Sequence, residues 1–571
     1  MHSYSTSLVA RRSCYGFLVA VLLASPTLAA APSSDFGVSQ VAEINRAIAE
    51  GWQAAGLKPS PAATEAEWCR RVYLDLIGRI PTVDELRGYL SDRSENKQQL
   101  LVDRLLGSEY REEFARNWTT LWTNTLIGRT GGVDRGSLAN RSGMQQYLRR
   151  SFQKNKSYDQ MVSELVTATG SCLPGDSDYN GAANFLADKL GENGIQATSK
   201  TAEIFLGMAV GCTQCHNHPF NEYKQNQFWE LNAFFRQTRV RRMQMEGEDN
   251  NRRYGQVVDT DFAGEGGDPS KAELYYELRN GKLKVAYPVF VDGSSLADKY
   301  SDKGEDFGDS GYLEVVNRRQ ELAGLILNSD EFPRAAVNRM WSHFLGYGFT
   351  KPIYDMGPHN PPTHPELLDY LAKEFRESSF DLKQLMRWIV LSEPYQLSSR
   401  MTRDNQSDDP NLGARPKFSH FYLRQMQAEQ LYESLLTATS AADSIAYDQR
   451  EEMKQRWLRQ FNTAFGTDDN AEATTFNGSI PQALMMMNGD LVKKATECEP
   501  GSFLHKIATS DDLNNAQRVD HLFLAALARE PAREELVICN KLLVAREGQA
   551  PEALRDVWWA LLNSNEFILI H

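Results

Sequence analysis

Apolar residues recur at three- and four-residue spacing over most of the chain. This predicts a mainly α protein of irregular multi-helical domains. Residues 37–57 form a first amphipathic stretch and Ala62 to Ile77 a second, closed by Gly78. Within the second, Arg71 and Asp75 stand four apart and are expected to pair along one helix face. A helix opening at Pro81-Thr82 carries Leu86 and Leu90, and Lys97 to Leu106 is the next. Phe114 to Leu126 places Trp118 and Trp122 on one stripe, which suits a core. Glycine-rich breaks at Gly128 to Gly136 and Gly170 to Gly181 separate these blocks from an apolar run, Thr198 to Val210. Gln227 to Phe235 is expected to be helical again.

The pattern changes near Thr238. A polar, glycine-rich stretch follows, with short strand-like pieces at Gly255 to Val258 and Lys284 to Phe290. Residues 239–310 are therefore expected to be a junction with a small β or extended insertion. Helical periods return at Asp330 to Phe344, Leu382 to Leu391, Leu423 to Leu435, Val519 to Leu527 and Asp556 to Asn563. Thr363 and Glu366 have capping-box spacing before the helix that runs to Phe375. A short pattern recurs at helix ends, a serine followed closely by an aromatic: Ser108 and Tyr110, Ser329 and Phe332, Ser392 and Tyr395, Ser564 and Phe567. It predicts tight turns in which the serine caps backbone donors and the ring packs back on the core. The expected organisation is a leader at 1–30, a helical domain at 31–238, the junction at 239–310 and a second helical domain at 311–571.

Arg11 and Arg12 precede an apolar run from Phe17 to Leu23, and small residues follow at Ala29 to Ala31. This is the layout of a secretory leader, so the protein is expected to be exported to the periplasm or cell envelope. After cleavage no integral membrane segment is expected. The chain has 571 residues and a formal net charge of −13. Loss of the two leader arginines makes it more negative still. Such a surface repels nucleic acid, and no basic stripe interleaved with aromatics offsets it. Six of the seven cysteines lie beyond the leader, too few for a disulfide scaffold in so long a chain.

Cys212-Thr213-Gln214-Cys215-His216 is the sharp chemical feature. Two thiols three positions apart can form thioethers to one haem, and the adjacent histidine can reach its iron. That attachment takes place outside the cytoplasm, in agreement with the leader. Haem c is thus one reading of the site. Zinc is another, with Cys212, Cys215, His216 and His218 as donors and His359 or His364 as distant additions. A third is a Cys212–Cys215 disulfide with no cofactor. The first makes the protein an envelope redox protein, the second a metal-dependent enzyme, and the third a non-catalytic envelope scaffold. His218 lies too close to His216 to reach the opposite face of the same haem, and Met208 is expected to be core. No nucleophile elbow, phosphate loop or paired-histidine zinc motif is present, so no reaction is assigned.

Several separated stretches resemble a known family. Arg70-Arg71-Val72-Tyr73-Leu74-Asp75-Leu76-Ile77-Gly78-Arg79-Ile80-Pro81-Thr82, Leu101 to Leu106 and Cys212 to Phe220 look like the DUF1549 domain of the planctomycete cytochrome-associated proteins. Ala336 to Trp341, Asn360 to Leu368, Ser479 to Leu484 and the tail Trp558 to His571 resemble its companion, DUF1553. The resemblance implies an exported protein, found in planctomycetes beside secreted sulfatase-like proteins. It implies an envelope redox partner or such a sulfatase-like partner, and a redox role linked to polysaccharide metabolism. The family's usual additional cytochrome domain is not apparent, because the chain has one Cys-x-x-Cys-His.

Overall fold

The computed structural model describes residues 35–134, 136–245, 253–259, 274–300, 316–445, 447–465, 479–546 and 549–571. The leader, the polar stretch 260–268 and the stretch 301–310 lie outside the described residues. The apolar periods become helices: α1 (Ser39–Ala55), α2 (Glu65–Ile77), α3 (Val83–Ser91), α4 (Lys97–Leu106) and α5 (Arg111–Ile127). Thr64 caps α2 through the Glu67 amide, and Gly78 ends it in the left-handed region. Trp118 and Trp122 are buried in the core as expected. No helix among the described residues is long and apolar enough to cross a membrane.

The junction holds strands, as its pattern predicts. A three-stranded antiparallel sheet runs β1 (Gly170–Ser171), β3 (Arg253–Asp259), β2 (Thr238–Gln244), in register Gly170↔Val257 and Val240↔Val257. A separate hairpin pairs β4 (Leu274–Glu277) with β5 (Leu283–Ala286). The third pairing is long-range: β6 (Arg424–Gln425) lies antiparallel to β7 (Leu569–Ile570).

Three local expectations are corrected. Leu423 to Leu435 is not one helix. The chain extends through β6 and turns helical only at Ala428–Thr439, where Gln427 and Gln430 form a capping box. Thr363 is not the cap of its helix. Pro365 takes the first helical position, which its fixed φ favours, so the cap falls on His364. The serines at helix ends act mainly as donors. Ser329, Ser392 and Ser564 Oγ donate to the carbonyls of Ile326, Ile389 and Leu561, at 2.9, 2.6 and 2.7 Å. Each adds a second hydrogen bond to a last-turn carbonyl that already accepts from the serine's own backbone amide; only Ser564 also accepts, from the Phe567 amide. The aromatics do pack back, with Phe332, Tyr395 and Phe567 at 0% exposure.

The Arg71–Asp75 pair is the fourth correction, and its reason organises the fold. Arg71 pairs one turn back with Glu67 at 3.2 Å and donates to the carbonyls of Leu397 and His571, both at 3.0 Å. Its guanidinium lies 3.6 Å from the centre of the Phe421 ring. Asp75, fully buried, is taken by Arg424, whose Nη2 stands 3.0 and 2.8 Å from its two oxygens. Tyr395 Oη donates to the same carboxylate at 2.8 Å. Arg70 reaches the Leu569 and Phe567 carbonyls at 3.0 and 2.8 Å. One face of α2 is thereby bound to β6, to the turn at Tyr395 and to the segment carrying β7. Burial pulls Arg70 and Arg71 down to about 10, which still leaves both charged at neutral pH. Residues 35–571 close around this into one compact unit with one main apolar cluster.

A structural echo joins the two halves. α2 passes through Gly78 to Arg79, whose Nε lies 2.6 Å from Glu113 and Nη1 2.8 Å from Glu85. Helix Asn515–Leu527 passes through Ala528 to Arg529, whose Nε lies 2.5 Å from Glu566 and Nη1 2.8 Å from Glu535. Each arginine also donates to the next residue's carbonyl, and each second glutamate caps the following helix through the Thr82 or Ala532 amide. Ala528 adopts φ 56°, where an L-residue is strained, while the matching Gly78 has φ 79°.

Two outcomes follow. Removing one member of the buried pair, by Asp75→Leu or Arg424→Leu, should cost about 3–5 kcal/mol in urea unfolding; the double variant should lose less than the sum. A single-variant loss under about 1 kcal/mol would refute the role given to the pair. Ala528→Gly should raise stability by about 0.5–1 kcal/mol. The reverse change, Gly78→Ala, should lower it, because a Cβ there meets Asn117 Oδ1 at 2.5 Å. Equal Tm shifts of one sign in both variants would contradict the left-handed assignment.

Candidate functional site

The cysteine motif follows a helix that changes pitch. Residues Ile195–Thr201 are α-helical, Ala202–Leu206 widen to a π-turn, and Gly207 stops the run in the left-handed region with φ 66°. Glycine suits this position, because the left-handed φ strains an L-residue and a Cβ would also displace Met356 Sδ, 2.6 Å away. Met208 is core, as expected. Gly211–Gln214 then form a 3₁₀ turn. Cys212 lies within this turn and Cys215 directly follows it. Thr213 is fully buried beneath them and its Oγ1 donates to Val210 O at 2.6 Å. Both thiols are exposed and free.

The loop is clamped from its flanks. Gln214 O accepts from Trp229 Nε1 at 3.0 Å and Gln225 Nε2 at 3.3 Å. Gln225 Nε2 also reaches the Glu277 carbonyl on β4 at 2.9 Å, and Trp229 stacks on Tyr276 of the same strand. Asn217 Oδ1 accepts from the Gln225 amide at 3.0 Å. The hairpin of the junction thus supports the motif.

The two histidines hold opposite tautomers, because each faces a partner with one role only. His216 Nδ1 lies 2.7 Å from the Asn217 carbonyl, which can only accept. His216 therefore donates from Nδ1 and keeps the Nε2 lone pair for a ligand, the usual arrangement of a metal-binding imidazole. His218 Nδ1 meets the Phe220 and Asn221 amides at 3.2 and 3.1 Å. It must accept, which puts the neutral ring's proton on Nε2. Burial holds the His218 pKa below its ordinary value, with Asp355 opposing and His359 and His216 adding to the decrease.

The second half of the chain completes the neighbourhood. Met356 N donates to Gly207 O at 2.7 Å, and Tyr223 Oη donates to Met356 O at 3.0 Å. The loop that carries Met356 brings His359, whose ring centre lies 6.2 Å from that of His218. His359 Nε2 is 3.0 Å from Asp355 Oδ1. Gly357 allows this approach, since a Cβ on it would press on His359 at 3.0 Å. His364 goes elsewhere. It is 8% exposed and faces Phe349 and Phe418, with Nε2 against Gly51 of α1. Burial takes its pKa down to about 4. His343 packs on Trp118 with ring centres 5.0 Å apart. Cys69, Cys172 and Cys539 are buried single thiols, and burial pushes Cys172 up to about 12.

The structure therefore sets His359 and Asp355 beside His218 at the end of the cysteine loop, and places His364 in the core instead. Among the described residues no three His, Cys, Asp or Glu side chains converge as a metal cage. Asp355, Tyr223 and the Gln214–Gln225–Trp229 clamp carried no sequence signal. Asp355 and His359 are four apart, but that spacing implies a pair only on a helix, and here the chain is a loop.

Residues 43–240 match the family described as protein of unknown function DUF1549 (PSCyt2), and residues 318–543 match that described as DUF1553 (PSD1). No curated protein and no solved structure matches the chain. The tautomers give a direct test. Two-bond ¹H–¹⁵N correlation at neutral pH should show His216 protonated on Nδ1 and His218 on Nε2. The same form in both rings would refute the arrangement.

Proposed function

From a chain that belongs to the DUF1549–DUF1553 family, we propose an exported envelope protein whose Cys212–Cys215–His216 loop carries one c-type haem in a redox role. The observation that supports this most is the combination of two exposed thiols three residues apart with an imidazole whose Nδ1–H is already committed. Cys212 and Cys215 would hold the two thioethers, and His216 Nε2 would face the iron. A haem asks less of this loop than zinc does. It brings four nitrogens of its own and needs one imidazole from the protein, not a converged set of side chains.

When bound, the group supplies one-electron chemistry. The chain's own residues hold and orient. Thr213 points inward and keeps the thiols outward. Gln225 and Trp229 fix the turn from behind, and Asn217 sets the His216 tautomer. Phe220, 83% exposed beside the motif, offers an apolar face that an attached macrocycle would cover. The flanking helices leave both thiols exposed. An exposed attachment loop suits exchange of electrons with an envelope partner better than turnover of an enclosed substrate.

Expression in a host with a cytochrome c maturation system should give leader-processed protein with one covalent haem, visible as a Soret band that stays with the denatured chain. Cys212→Ser with Cys215→Ser should abolish attachment while far-UV circular dichroism is unchanged. Colourless, correctly processed protein sinks the proposal. If that protein holds zinc in a 1:1 ratio, the loop is a metal centre instead.

A further inference from the structure

A second candidate lies within the DUF1553 half, in side chains distinct from those of the cysteine loop. Tyr347, Lys351, Met401, Asp409, His420 and Leu423 border a cleft of about 500 Å³. Small-molecule sites fall in roughly the 300–1,000 Å³ range. His420 in its wall is 6% exposed, and its Nδ1 is buried with no hydrogen-bond partner.

The other walls are fixed. Lys351 Nζ sits 4.8 Å from the centre of the Tyr347 ring and donates to Pro410 O at 3.3 Å. Tyr347 Oη donates to Asn411 Oδ1 at 3.1 Å, and Asp409 Oδ1 accepts from the Asn411 amide at 3.0 Å. Tyr422 beside them is held by Asp408 at 2.7 Å. The rim is apolar at Met401 and Leu423, 47% and 45% exposed.

We propose that this cleft binds a neutral polyhydroxylated molecule, such as a single sugar unit. One ammonium and one carboxylate stand in the same wall, so a charged ligand gains from one what it loses to the other. A purely apolar ligand would take the exposed amide, carboxylate and ammonium out of water without giving them partners. A ligand with hydroxyls on its edge and C–H groups on its face satisfies both kinds of lining. The inference does not rest on the haem reading. The two sites share one segment of chain: Asn360 Nδ2 donates to Lys351 O at 3.2 Å on the cleft side and to Asp355 O at 2.8 Å on the cysteine side.

The test is saturation-transfer NMR and calorimetry on the full mature chain, with glucose, galactose, mannose and cellobiose as probes at about 10 mM. Glucosamine and glucuronate are the cationic and anionic comparators. At least one neutral sugar should bind saturably, with the matching charged forms about tenfold weaker. Asn411→Ala and Leu423→Trp change exposed residues and leave the core intact. Each should weaken binding about tenfold or more. Binding of none of the neutral probes overturns the proposal. So does preference for a charged comparator, or binding that both variants leave unchanged.

Discussion

A carboxylate fully removed from water is tolerated only when charge and hydrogen bonds replace its hydration. Asp75 meets that condition with groups from the far half of the chain: the Arg424 guanidinium and the Tyr395 hydroxyl. Its partners can reach it only if β6 and the Tyr395 turn are seated against α2. The converse also holds. Arg424 is 5% exposed and would be stranded without Asp75. The pair therefore acts as a condition on assembly. Either the two family regions dock, or two buried charges go unpaired.

That constraint fixes more than stability. With α2 held by the second region, the loop from Tyr347 to Thr363 comes to rest on the first region's cysteine loop, through Met356 to Gly207 and Tyr223. The neighbourhood of the motif is composite for this reason. Cys212, Cys215, His216 and His218 come from one family region, and Asp355 and His359 from the other. The same loop lines the cleft at its opposite end through Tyr347 and Lys351. One loop thus joins the neighbourhood of the exposed cysteine motif to the cleft.

The paired arginine clasps at Arg79 and Arg529 show one solution used twice. In each, a helix stops in the left-handed region and an arginine bridges two glutamates, one of which caps the next helix. The clasp satisfies helix-terminal amides and fixes the turn angle together. The copies differ where the first packs harder. Gly78 has Asn117 directly above it, whereas Ala528 has room for its methyl group and accepts the backbone strain.

Much of the helical plan was legible because periodicity is a local property. Lys97–Leu106 and Leu382–Leu391 match their apolar periods to the residue. The Cys-x-x-Cys-His motif and the family resemblance were legible for the same reason, being contiguous strings. The partner of Asp75 was not. Arg71 stands four residues away on the same helix, but Arg424 is 349 positions distant and wins by burial with two-oxygen geometry. Nor could the chain alone say that His359 comes to the cysteine loop while His364 turns into the core. Five residues apart, they diverge because His364 caps the helix that starts at Pro365 and sits in the apolar seat beside Gly51, while His359 stays in the loop before it. Spacing along the chain determined the helices and the chemistry of the motif; which distant side chains share one dry interior was decided only by tertiary packing, because charge pairing there depends on burial that no local pattern encodes.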